Sequence, residues 1–276
     1  MEHGSESAAG EPLRFSLVRL DEVESTNLEV KRLIREGAPE GAAVVARAQT
    51  GGYGRQGRSW RSPVGGLYLS VLLRPSPQSA ARTELPTLSL AAALAVREAL
   101  LAFQPAEALY VKWPNDVLCE GGKLCGISLE AVGGAVCLGI GVNVARPEGA
   151  AAVGANPSAA SAPLASGALP PAYLGELAPA CLDGGLERAL DRCAACALET
   201  LSRFYHTWSE QGFAAMCGEY NRVAYLNGRT VSIASIAGET FARGRVVRTA
   251  ENGALILEDE AGICREVFSG EAHVRL

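Results

Sequence analysis

Residues 49–60 of the sequence, QTGGYGRQGRSW, bring together the residue types that bind anions. Glycines let backbone N–H groups approach an anion closely, and arginine guanidinium groups bind phosphate or carboxylate with a planar fork. Two arginines, Arg55 and Arg58, stand here among glycines and beside a tryptophan, and a third, Arg61, follows directly. The segment, called the glycine loop below, therefore predicts a loop that closes over a small, negatively charged ligand.

Three residues of the glycine loop, Gly52, Gly54 and Gly57, also match the dinucleotide-binding pattern G-x-G-x-x-G. That pattern requires a helix that begins at the third glycine and an acidic residue about 20 positions later. Pro63 and the glycine pair after it exclude such a helix, and the segment 76–78 has no carboxylate. The sequence therefore disfavours a Rossmann turn. A plain surface linker is a second alternative, which three arginines beside a tryptophan also disfavour.

Four further segments carry polar groups where a ligand could be bound. They are Ser-Thr-Asn at 25–27, Lys-Trp-Pro-Asn-Asp at 112–116, Gly-Lys-Leu-Cys-Gly at 122–126 and Gly-Ile-Gly-Val-Asn at 139–143. We expect Asn115 and Asp116 to project from the end of a strand and Lys123 to lie on a turn. Each segment alone has an ordinary alternative, because these residues are common in helix caps, in turns and on surfaces. Asn143 is the least ordinary, since an amide in an apolar strand must find hydrogen-bond partners.

The composition limits the class of protein. A length of 276 residues allows one large or two moderate domains, and 48% hydrophobic with 20% charged residues is typical of a soluble globular protein. A net charge of −5 argues against sequence-independent nucleic-acid binding. No run reaches the roughly 18 apolar residues of a membrane span, and the N-terminus is polar rather than signal-like. We therefore expect a cytoplasmic protein without a nucleic-acid or membrane partner.

Eight cysteines could indicate a metal site or disulfides. Cys193 and Cys196 form the only C-x-x-C motif, and no second pair or histidine stands at ligand spacing. Both lie on one face of an Ala- and Leu-rich helical run, 186–204. We predict that all the cysteines are reduced, apolar and inert.

Hydrophobic periodicity and turn residues divide the chain into parts. Residues 1–14 are expected to be a disordered extension, 15–220 a larger α+β domain with a low-order insertion at 146–171, and 221–276 a small SH3-like β-barrel of five strands. Helices are predicted at 28–36, 85–103, 184–210 and 213–220. Strands are predicted at 15–23, 43–49, 67–74, 109–113, 126–132, 135–144, 229–235, 240–249, 254–258 and 263–268.

Taken together, these motifs resemble those of one family, the biotin protein ligases, both in their order and in the identity of their residues. The resemblance extends from about Val18 to the C-terminus. It rests on Ser-Thr-Asn, Gln49-Thr, the Gly-x-Gly-Arg-x-Gly-Arg-x-Trp loop, Lys-Trp-Pro-Asn-Asp, Gly-Lys-Leu-x-Gly-Ile, Gly-x-Asn and a terminal Phe268-Ser-Gly-Glu271. It implies a catalytic domain like those of class II aminoacyl-tRNA synthetases, with a mixed sheet and packed helices, followed by the SH3-like barrel.

The resemblance also implies an activity. Such an enzyme uses ATP and Mg²⁺ to form biotinyl-5′-AMP and then transfers biotin to a lysine of a biotin carboxyl carrier protein, part of acetyl-CoA carboxylase or a related carboxylase. A monomer or homodimer is expected. Because a carboxylate must meet the α-phosphate of ATP, two anions approach each other, and cations have to neutralise their repulsion.

Site residues follow from the same resemblance. The catalytic residues would be Lys123, Arg55 and Asp116, of which Asp116 would hold Mg²⁺. Biotin would contact Ser25, Thr26, Asn27, Gln49, Tyr53, Gly54, Arg55, Lys123 and Gly126. ATP would contact Gly52, Arg55, Arg58, Trp60, Asn115, Lys123 and Asn143, with Trp60 on the adenine side and Asn143 reading adenine. No histidine falls in a motif, so the sequence assigns no histidine base.

Two departures from the family pattern stand out. The family loop usually reads Gly-Arg-Gly-Arg, whereas Tyr53 replaces the first arginine here, so one cationic contact is absent from the glycine loop. Some members also carry an N-terminal helix-turn-helix that represses transcription. Only 24 residues precede Ser25, too few for a three-helix DNA-binding module, so we expect the class that has ligase activity alone.

Two alternative functions remain open at this point. Lipoate or octanoate ligases and transferases share the expected fold, although the arginine-tryptophan loop and Lys-Trp-Pro-Asn-Asp favour biotin. A protein that senses biotin or serves as a scaffold without catalysis is the second alternative, which Lys123 and Asp116 argue against.

Overall fold

Five α-helices and twelve β-strands lie in the residues that the computed structural model describes, 12–76, 84–120, 122–147, 169–235 and 237–274. The helices are α1 (Thr26–Arg35), α2 (Leu88–Leu101), α3 (Leu174–Leu177), α4 (Leu186–Gln211) and α5 (Ala214–Arg222). The strands are β1 (Ser16–Val23), β2 (Ala42–Gln49), β3 (Gly66–Leu73), β4 (Tyr110–Lys112), β5 (Asp116–Cys119), β6 (Gly122–Val132), β7 (Ala135–Asn143), β8 (Thr230–Ala234), β9 (Thr240–Thr249), β10 (Leu255–Glu258), β11 (Cys264–Val267) and β12 (Glu271–Val274). Most of the expected 1–14 extension and 146–171 insertion lies outside the described residues.

The first sheet has seven strands in the order β1-β2-β3-β7-β6-β5-β4. β1 and β2 are parallel, and the other neighbours in this sheet are antiparallel. The predicted α+β class with a mixed sheet and packed helices is therefore confirmed.

One face of this sheet is covered by α2 and α4, which pack against each other. α2 is buried on nearly all sides, as its uninterrupted apolar sequence predicts. Leu69, Val71 and Leu73 alternate along β3 and join the same core cluster as these helices. This face supplies the rigid support on which the opposite face is built.

The opposite face is divided between α1 and an open region. α1 packs on β2, β3 and β7, where Val30 and Ile34 meet Leu72 and Cys137. Further along the same strands the residues on this face become small, because Ser70 lies two positions before Leu72 on β3 and Gly139 two positions after Cys137 on β7. Small side chains leave room above the sheet, and that room is the candidate site.

The second sheet is antiparallel, with five strands in the order β11-β10-β9-β8-β12. Its number of strands matches the prediction, although β12 was not among the predicted strands. Val231, Val246 and Leu255 of this sheet belong to the same core cluster as the helices of the first sheet. The Trp113 indole N–H also donates a hydrogen bond of 3.0 Å to the Gly253 carbonyl. Because the two sheets share a core, the domain boundary near residue 221 stays a prediction.

Three local predictions were wrong. Lys123 lies within β6 and not on a turn, because β6 begins at Gly122 and pairs with β5, a strand absent from the prediction. β5 was missed because only five residues separate the Lys-Trp-Pro-Asn turn from the next glycines, and the strand itself has four. The helix at 28–36 begins earlier, at Thr26, and Ser25 takes the N-cap position without a side-chain cap hydrogen bond.

Candidate active site

A cavity of about 350 Å³ lies over the small residues of the sheet. The glycine loop covers it, the N-terminus of α1 closes one end, and the turn before β5 lies at the other. The first residues of β12, from the second sheet, complete the wall. The loop folds back on itself, since Gly54 N donates to Arg58 O at 2.8 Å and Trp60 N donates to Gly52 O at 2.9 Å. Segments far apart in the sequence therefore meet around one cavity.

The end of the cavity next to α1 is polar and uncharged. Gln49 Oε1 accepts hydrogen bonds from Thr26 N at 2.8 Å and from Thr26 Oγ1 at 3.1 Å, and Gln49 Nε2 donates to Ser62 Oγ at 2.7 Å. Asn27 Nδ2 donates to Ser128 Oγ at 3.1 Å. Ser70 Oγ lies 2.8 Å from Thr26 Oγ1 and 2.6 Å from Asn27 Oδ1. Such a network offers neutral donors and acceptors to a polar ring.

The opposite end of the cavity is rich in cations. Lys123 Nζ lies 2.8 Å from Asp116 Oδ1, and Arg55 Nη1 donates to Asn115 Oδ1 at 3.0 Å. Burial lowers the pKa of Arg55. Burial also lowers the pKa of Lys112, and this effect exceeds the opposite effect of the nearby Asp116 carboxylate, which raises it. An incoming anion stabilises the charged form of such partly buried cations, because it replaces the interactions that they lost with water.

Asp116 has the properties of a ligand for a divalent cation. Its Oδ1 is buried and accepts no hydrogen bond of good geometry, although Lys123 stands beside it as an ion-pair partner. Asn115 adds an amide oxygen in the same turn. No group of three or more His, Cys, Asp or Glu side chains that could hold a metal occurs in the described parts of the chain. Mg²⁺ fits this site, because it takes one or two protein oxygens and completes its shell with phosphate and water.

Trp60 lies against two glycines of the sheet. A Cβ atom on Gly141 would lie 2.8 Å from the indole Nε1, and one on Gly126 would lie 3.0 Å from the ring and 3.2 Å from Lys123 Nζ. Lys123 Nζ stands 5.3 Å from the centroid of the indole ring. The indole Nε1 is buried and has no hydrogen-bond partner within the described residues. The indole thus forms part of the wall beside Lys123 and leaves a donor for a ligand.

Three side-chain contacts attach residues 53–58 of the glycine loop to the rest of the protein, in addition to the hydrogen bonds that residues 49–51 make to residues 23–26. The Tyr53 hydroxyl donates to Glu130 Oε1 at 3.0 Å, Arg55 donates to Asn115, and Arg58 pairs with Glu271 of β12. Burial opposes the ionisation of Glu271, but its hydrogen bond with Arg58 outweighs that effect and lowers the pKa of the carboxyl. The loop is therefore attached to β6, to the turn before β5 and to the second sheet.

Most of the predicted site residues lie on the cavity wall: Thr26, Asn27, Gln49, Tyr53, Gly54, Arg55, Arg58, Trp60, Asn115, Asp116, Lys123 and Gly126. Three do not. Ser25 is buried beneath the start of α1, and Gly52 lies behind the cavity wall, where a Cβ would collide with Ser62 Oγ at 2.3 Å. The Asn143 amide donates to the Lys123 carbonyl at 3.0 Å, so its visible role is to position that strand.

Sequence reasoning did not assign several residues of the cavity wall, among them Ser70, Ser128, Lys112 and Glu271. A signal existed for Ser70, a hydroxyl within an otherwise apolar strand, and for Ser128, two positions after Gly126 on the same strand face. Lys112 belongs to the Lys-Trp-Pro-Asn-Asp motif, but the sequence analysis assigned no function to it. Glu271 comes from a strand more than a hundred residues away in sequence from the glycine loop, and only the fold brings it there.

The cysteines are unpaired, as predicted, but they are not all buried. Cys119, Cys125, Cys137, Cys193 and Cys217 are buried, Cys181 and Cys196 are intermediate, and Cys264 is exposed on β11. Burial raises the pKa of both Cys137 and Cys193 to about 12, so these thiols stay protonated at neutral pH. The prediction of an apolar environment is therefore wrong for Cys264, which lies on the short, largely exposed strand β11.

Comparison with known proteins agrees with the motifs. Residues 19–145 match the Biotin/lipoate A/B protein ligase family. The biotin–[acetyl-CoA-carboxylase] ligase of Paracoccus denitrificans is 45% identical over 146 residues, which are 50% of this chain and 59% of that protein. The ligase of the same name from Mycobacterium tuberculosis is 40% identical over 132 residues, 44% of this chain and 47% of the relative. The alignments thus span about half the length of these curated relatives.

Solved structures extend the similarity over nearly the whole chain. The biotin protein ligase of Aquifex aeolicus, in a complex with biotin and ATP, has a TM-score of 0.73 and 27% identity, and the match covers 94% of this chain and 98% of that one. A crystal structure of the same Aquifex enzyme gives a TM-score of 0.72 at 25% identity, with 95% and 99% covered. The resemblance drawn from the motifs is confirmed. Within the described residues, no helix is both long and apolar enough to span a membrane.

Proposed function

We propose that this chain, which matches the biotin/lipoate A/B protein ligase family over residues 19–145, is a cytoplasmic, Mg²⁺-dependent biotin protein ligase. It would use ATP to form biotinyl-5′-AMP and transfer biotin to a specific lysine of a biotin carboxyl carrier protein. The observation that carries the proposal is the composition of the cavity. A neutral hydrogen-bonding end and a cationic end containing Lys123 and Asp116 lie under one arginine-rich loop.

Biotin fits this division of the cavity. Its ureido ring is neutral and needs both donors and acceptors, which Thr26, Asn27 and Gln49 provide. A ring held at the α1 end directs the valeryl chain along the glycines of β6 and β7 towards Lys123. The biotin carboxylate then approaches the cationic end, where its charge is neutralised.

The first step joins the biotin carboxylate to the α-phosphorus of ATP. A carboxylate oxygen forms the new P–O bond, the bond between the α-phosphorus and the bridging oxygen breaks, and pyrophosphate leaves with that electron pair. Lys123 and Arg55 stabilise the negative charge that accumulates on the phosphoryl oxygens, because both lie partly buried at this end. Lys123 acts by its charge and its position beside Asp116.

Asp116 and Asn115 are the residues that would hold Mg²⁺. When bound, the ion would neutralise phosphate oxygens and help to orient the pyrophosphate leaving group. Asp116 now faces the Lys123 ammonium. With Asp116 engaged in holding the ion, the Lys123 ammonium would be available to pair with the anionic reactants.

The second step transfers the biotinyl group. The unprotonated amine of a carrier lysine attacks the acyl carbon of the mixed anhydride, an amide bond forms, and AMP leaves with the electrons of the broken C–O bond. The proton that the amine loses passes to the departing AMP phosphate or to water, since neither His206 nor His273 lines the cavity. The glycine loop would exclude water until the carrier arrives.

Transfer to a carrier tests the proposal. The purified protein is incubated with ATP, Mg²⁺, biotin and an unmodified biotin carboxyl carrier domain, and labelling is read with streptavidin. We expect one biotin per carrier, on a single lysine, and no labelling of a lipoyl carrier domain supplied with lipoate or octanoate. Modification of the lipoyl domain instead would assign the chain to lipoate or octanoate attachment. Biotin binding without any transfer would favour the sensing or scaffold alternative.

A further inference from the structure

Among the side chains of residues 53–58, Tyr53 makes the one attachment to the rest of the protein that does not use a cation. Its hydroxyl donates to Glu130 Oε1 at 3.0 Å, whereas the other two attachments use Arg55 and Arg58. Arginines that bind phosphate groups must exchange their present partners for the ligand. The Tyr53 hydroxyl is a neutral donor, so an anionic ligand attracts it less strongly than it attracts the two guanidinium groups.

The Glu130 carboxylate is itself fixed by two elements. Lys31 of α1 forms an ion pair with Oε2, and Asn27 Nδ2 lies 3.4 Å from Oε1. The Lys31 side chain is 15% exposed and that of Glu130 32% exposed, so the group is shielded from solvent. Burial lowers the pKa of Lys31, but the hydrogen bonds with Glu130 and Tyr53 outweigh it and raise that pKa.

The tyrosine ring adds a second contact to the same group. Lys31 Nζ lies 5.2 Å from the centroid of the Tyr53 ring, within the range of a cation–π interaction. Burial raises the pKa of the Tyr53 phenol, so the hydroxyl remains a proton donor over the whole physiological range. A second pocket lies between residues 53–57 of the loop and 128–130 of β6, and both Tyr53 and Glu130 line it. Loss of the Tyr53–Glu130 bond would open the loop on that side.

We propose that Tyr53 is a positioning residue that holds the N-terminal half of the glycine loop on Glu130 and Lys31, both before ligand binds and during the reaction. The inference rests on the proposed function, because it concerns retention of the adenylate intermediate. It also gives a role to the tyrosine that stands where the family usually has arginine. The loop loses one anion-binding group and gains an attachment to β6 through a neutral donor.

Loop order in the absence of ligand is the first readout. Trypsin cleaves after Arg55 and Arg58 only when the loop leaves the cavity, and mass spectrometry identifies those cuts. We expect Tyr53→Phe to raise the loop cleavage rate about tenfold, since a hydrogen bond to a charged group is lost. Cleavage after Arg243 in β9 provides the internal reference, and Tyr110→Phe on β4, outside the cavity, is the matched control. This readout needs no biotin, so it fails or succeeds independently of the proposed function.

Retention of the intermediate is the second readout. Release of biotinyl-5′-AMP from Tyr53→Phe should be about tenfold faster than from the unmodified protein, and KM for biotin should rise while kcat for pyrophosphate exchange stays within about twofold. A residue that only supported the fold would lower kcat by reducing the fraction of active enzyme. Unchanged loop cleavage together with unchanged release would overturn the proposal.

A double-mutant cycle separates the bond from general destabilisation. Glu130→Ala alone should raise the rate of loop cleavage as Tyr53→Phe does. The loop of the double variant should be cleaved no faster than that of Glu130→Ala. Additive effects in the cycle would show that the two residues act independently and would contradict the proposal. Far-ultraviolet circular dichroism of each variant confirms that the proteins compared are folded.

Discussion

Arg55 is the loop residue that stands nearest to the reacting groups in the proposed chemistry. Its guanidinium bonds to Asn115, beside the proposed metal ligand Asp116, and burial lowers its pKa. It is therefore a cation that is partly removed from water and has only a neutral acceptor. An adenylate phosphate would provide the charged partner that this environment lacks.

Replacing Arg55 should release the intermediate. We expect Arg55→Gly to lose biotinyl-5′-AMP at least about tenfold faster, because a charge-assisted contact to the phosphate disappears. The released adenylate should biotinylate bystander proteins in a lysate, as measured by streptavidin blotting. Arg61→Gly, in the same segment but off the cavity wall, serves as the control. Bystander labelling equal to that of the control would contradict this role of Arg55.

At the scale of elements, the cavity exists because β6 and β7 present glycines where other strands present apolar side chains. Gly126 and Gly141 receive the indole of Trp60. A Cβ atom on Gly139 would lie 2.3 Å from Asn27 Oδ1 and 2.5 Å from Ser128 Oγ. The strand pairing of Gly126 with Gly141 places both beneath the glycine loop. The sheet thus determines how closely the loop can approach.

A methyl group at position 141 should disturb the loop without unfolding the protein. In Gly141→Ala the new Cβ would lie 2.8 Å from the indole, so Trp60 must move. We expect biotin affinity to fall about tenfold or more, measured by calorimetry, with a change in tryptophan fluorescence. Gly218→Ala on α5, where a Cβ meets nothing within 4 Å, is the matched control and should keep full affinity. Equal affinities in the two variants would show that the indole does not depend on this glycine.

The contact between the glycine loop and β12 should depend on pH. The pKa of Glu271 is lowered in the folded protein, so its pair with Arg58 contributes stability above the ordinary carboxyl pKa of 4.5 and loses it as pH falls through the lower folded value. Both side chains are substantially exposed, so the contribution should stay within about 1 kcal/mol. Urea unfolding of Glu271→Gln should show a small deficit at pH 7 that disappears on acidification below pH 4.5. A deficit that grew in acid would contradict this sign.

At the scale of the whole molecule, the distribution of lysines is unusual. The sequence contains only Lys31, Lys112 and Lys123. Lys31 is paired with Glu130, Lys123 is paired with Asp116, and burial lowers the pKa of Lys112. The remaining cationic side chains are arginines, which do not form amides with an acyl-adenylate at neutral pH. Lys112 and Lys123 line the cavity and Lys31 is paired beside it, so no lysine stands on the outer surface where intermediate released to solvent would meet it.

Self-labelling should accordingly be low even when the intermediate escapes. We expect Arg55→Gly, incubated with ATP and biotin but without a carrier, to acquire well under one biotin per chain by intact mass. Adding Arg35→Lys on the exposed side of α1 should increase self-labelling about tenfold, because one free ammonium becomes available. Extensive labelling before that lysine is added would show that a native lysine is more accessible than its contacts indicate.

The sequence was most informative about those parts of the site that are formed by contiguous residues. The glycine loop, Lys-Trp-Pro-Asn-Asp and Gly-Lys-Leu-Cys-Gly predicted most of the cavity wall, because each needs specific residue types at fixed spacing. Glu271 and Lys112 were not assigned, since their positions depend on how a second sheet and a short hairpin pack around the loop. Lys123 was placed on a turn because β5 is too short to show alternation. The Tyr53–Glu130 bond joins residues 77 positions apart, which no local pattern could predict.

The most direct test of the account is biotin-dependent exchange of labelled pyrophosphate into ATP, which isolates the adenylation step. We expect exchange with biotin and none with lipoate or octanoate, and we expect Lys123→Ala to lower it by about a thousandfold or more, because a cation beside the α-phosphate is lost. Arg245→Ala, on the exposed face of β9, should leave exchange unchanged. Full exchange in Lys123→Ala, or no exchange with biotin in the unmodified protein, would contradict the central claim.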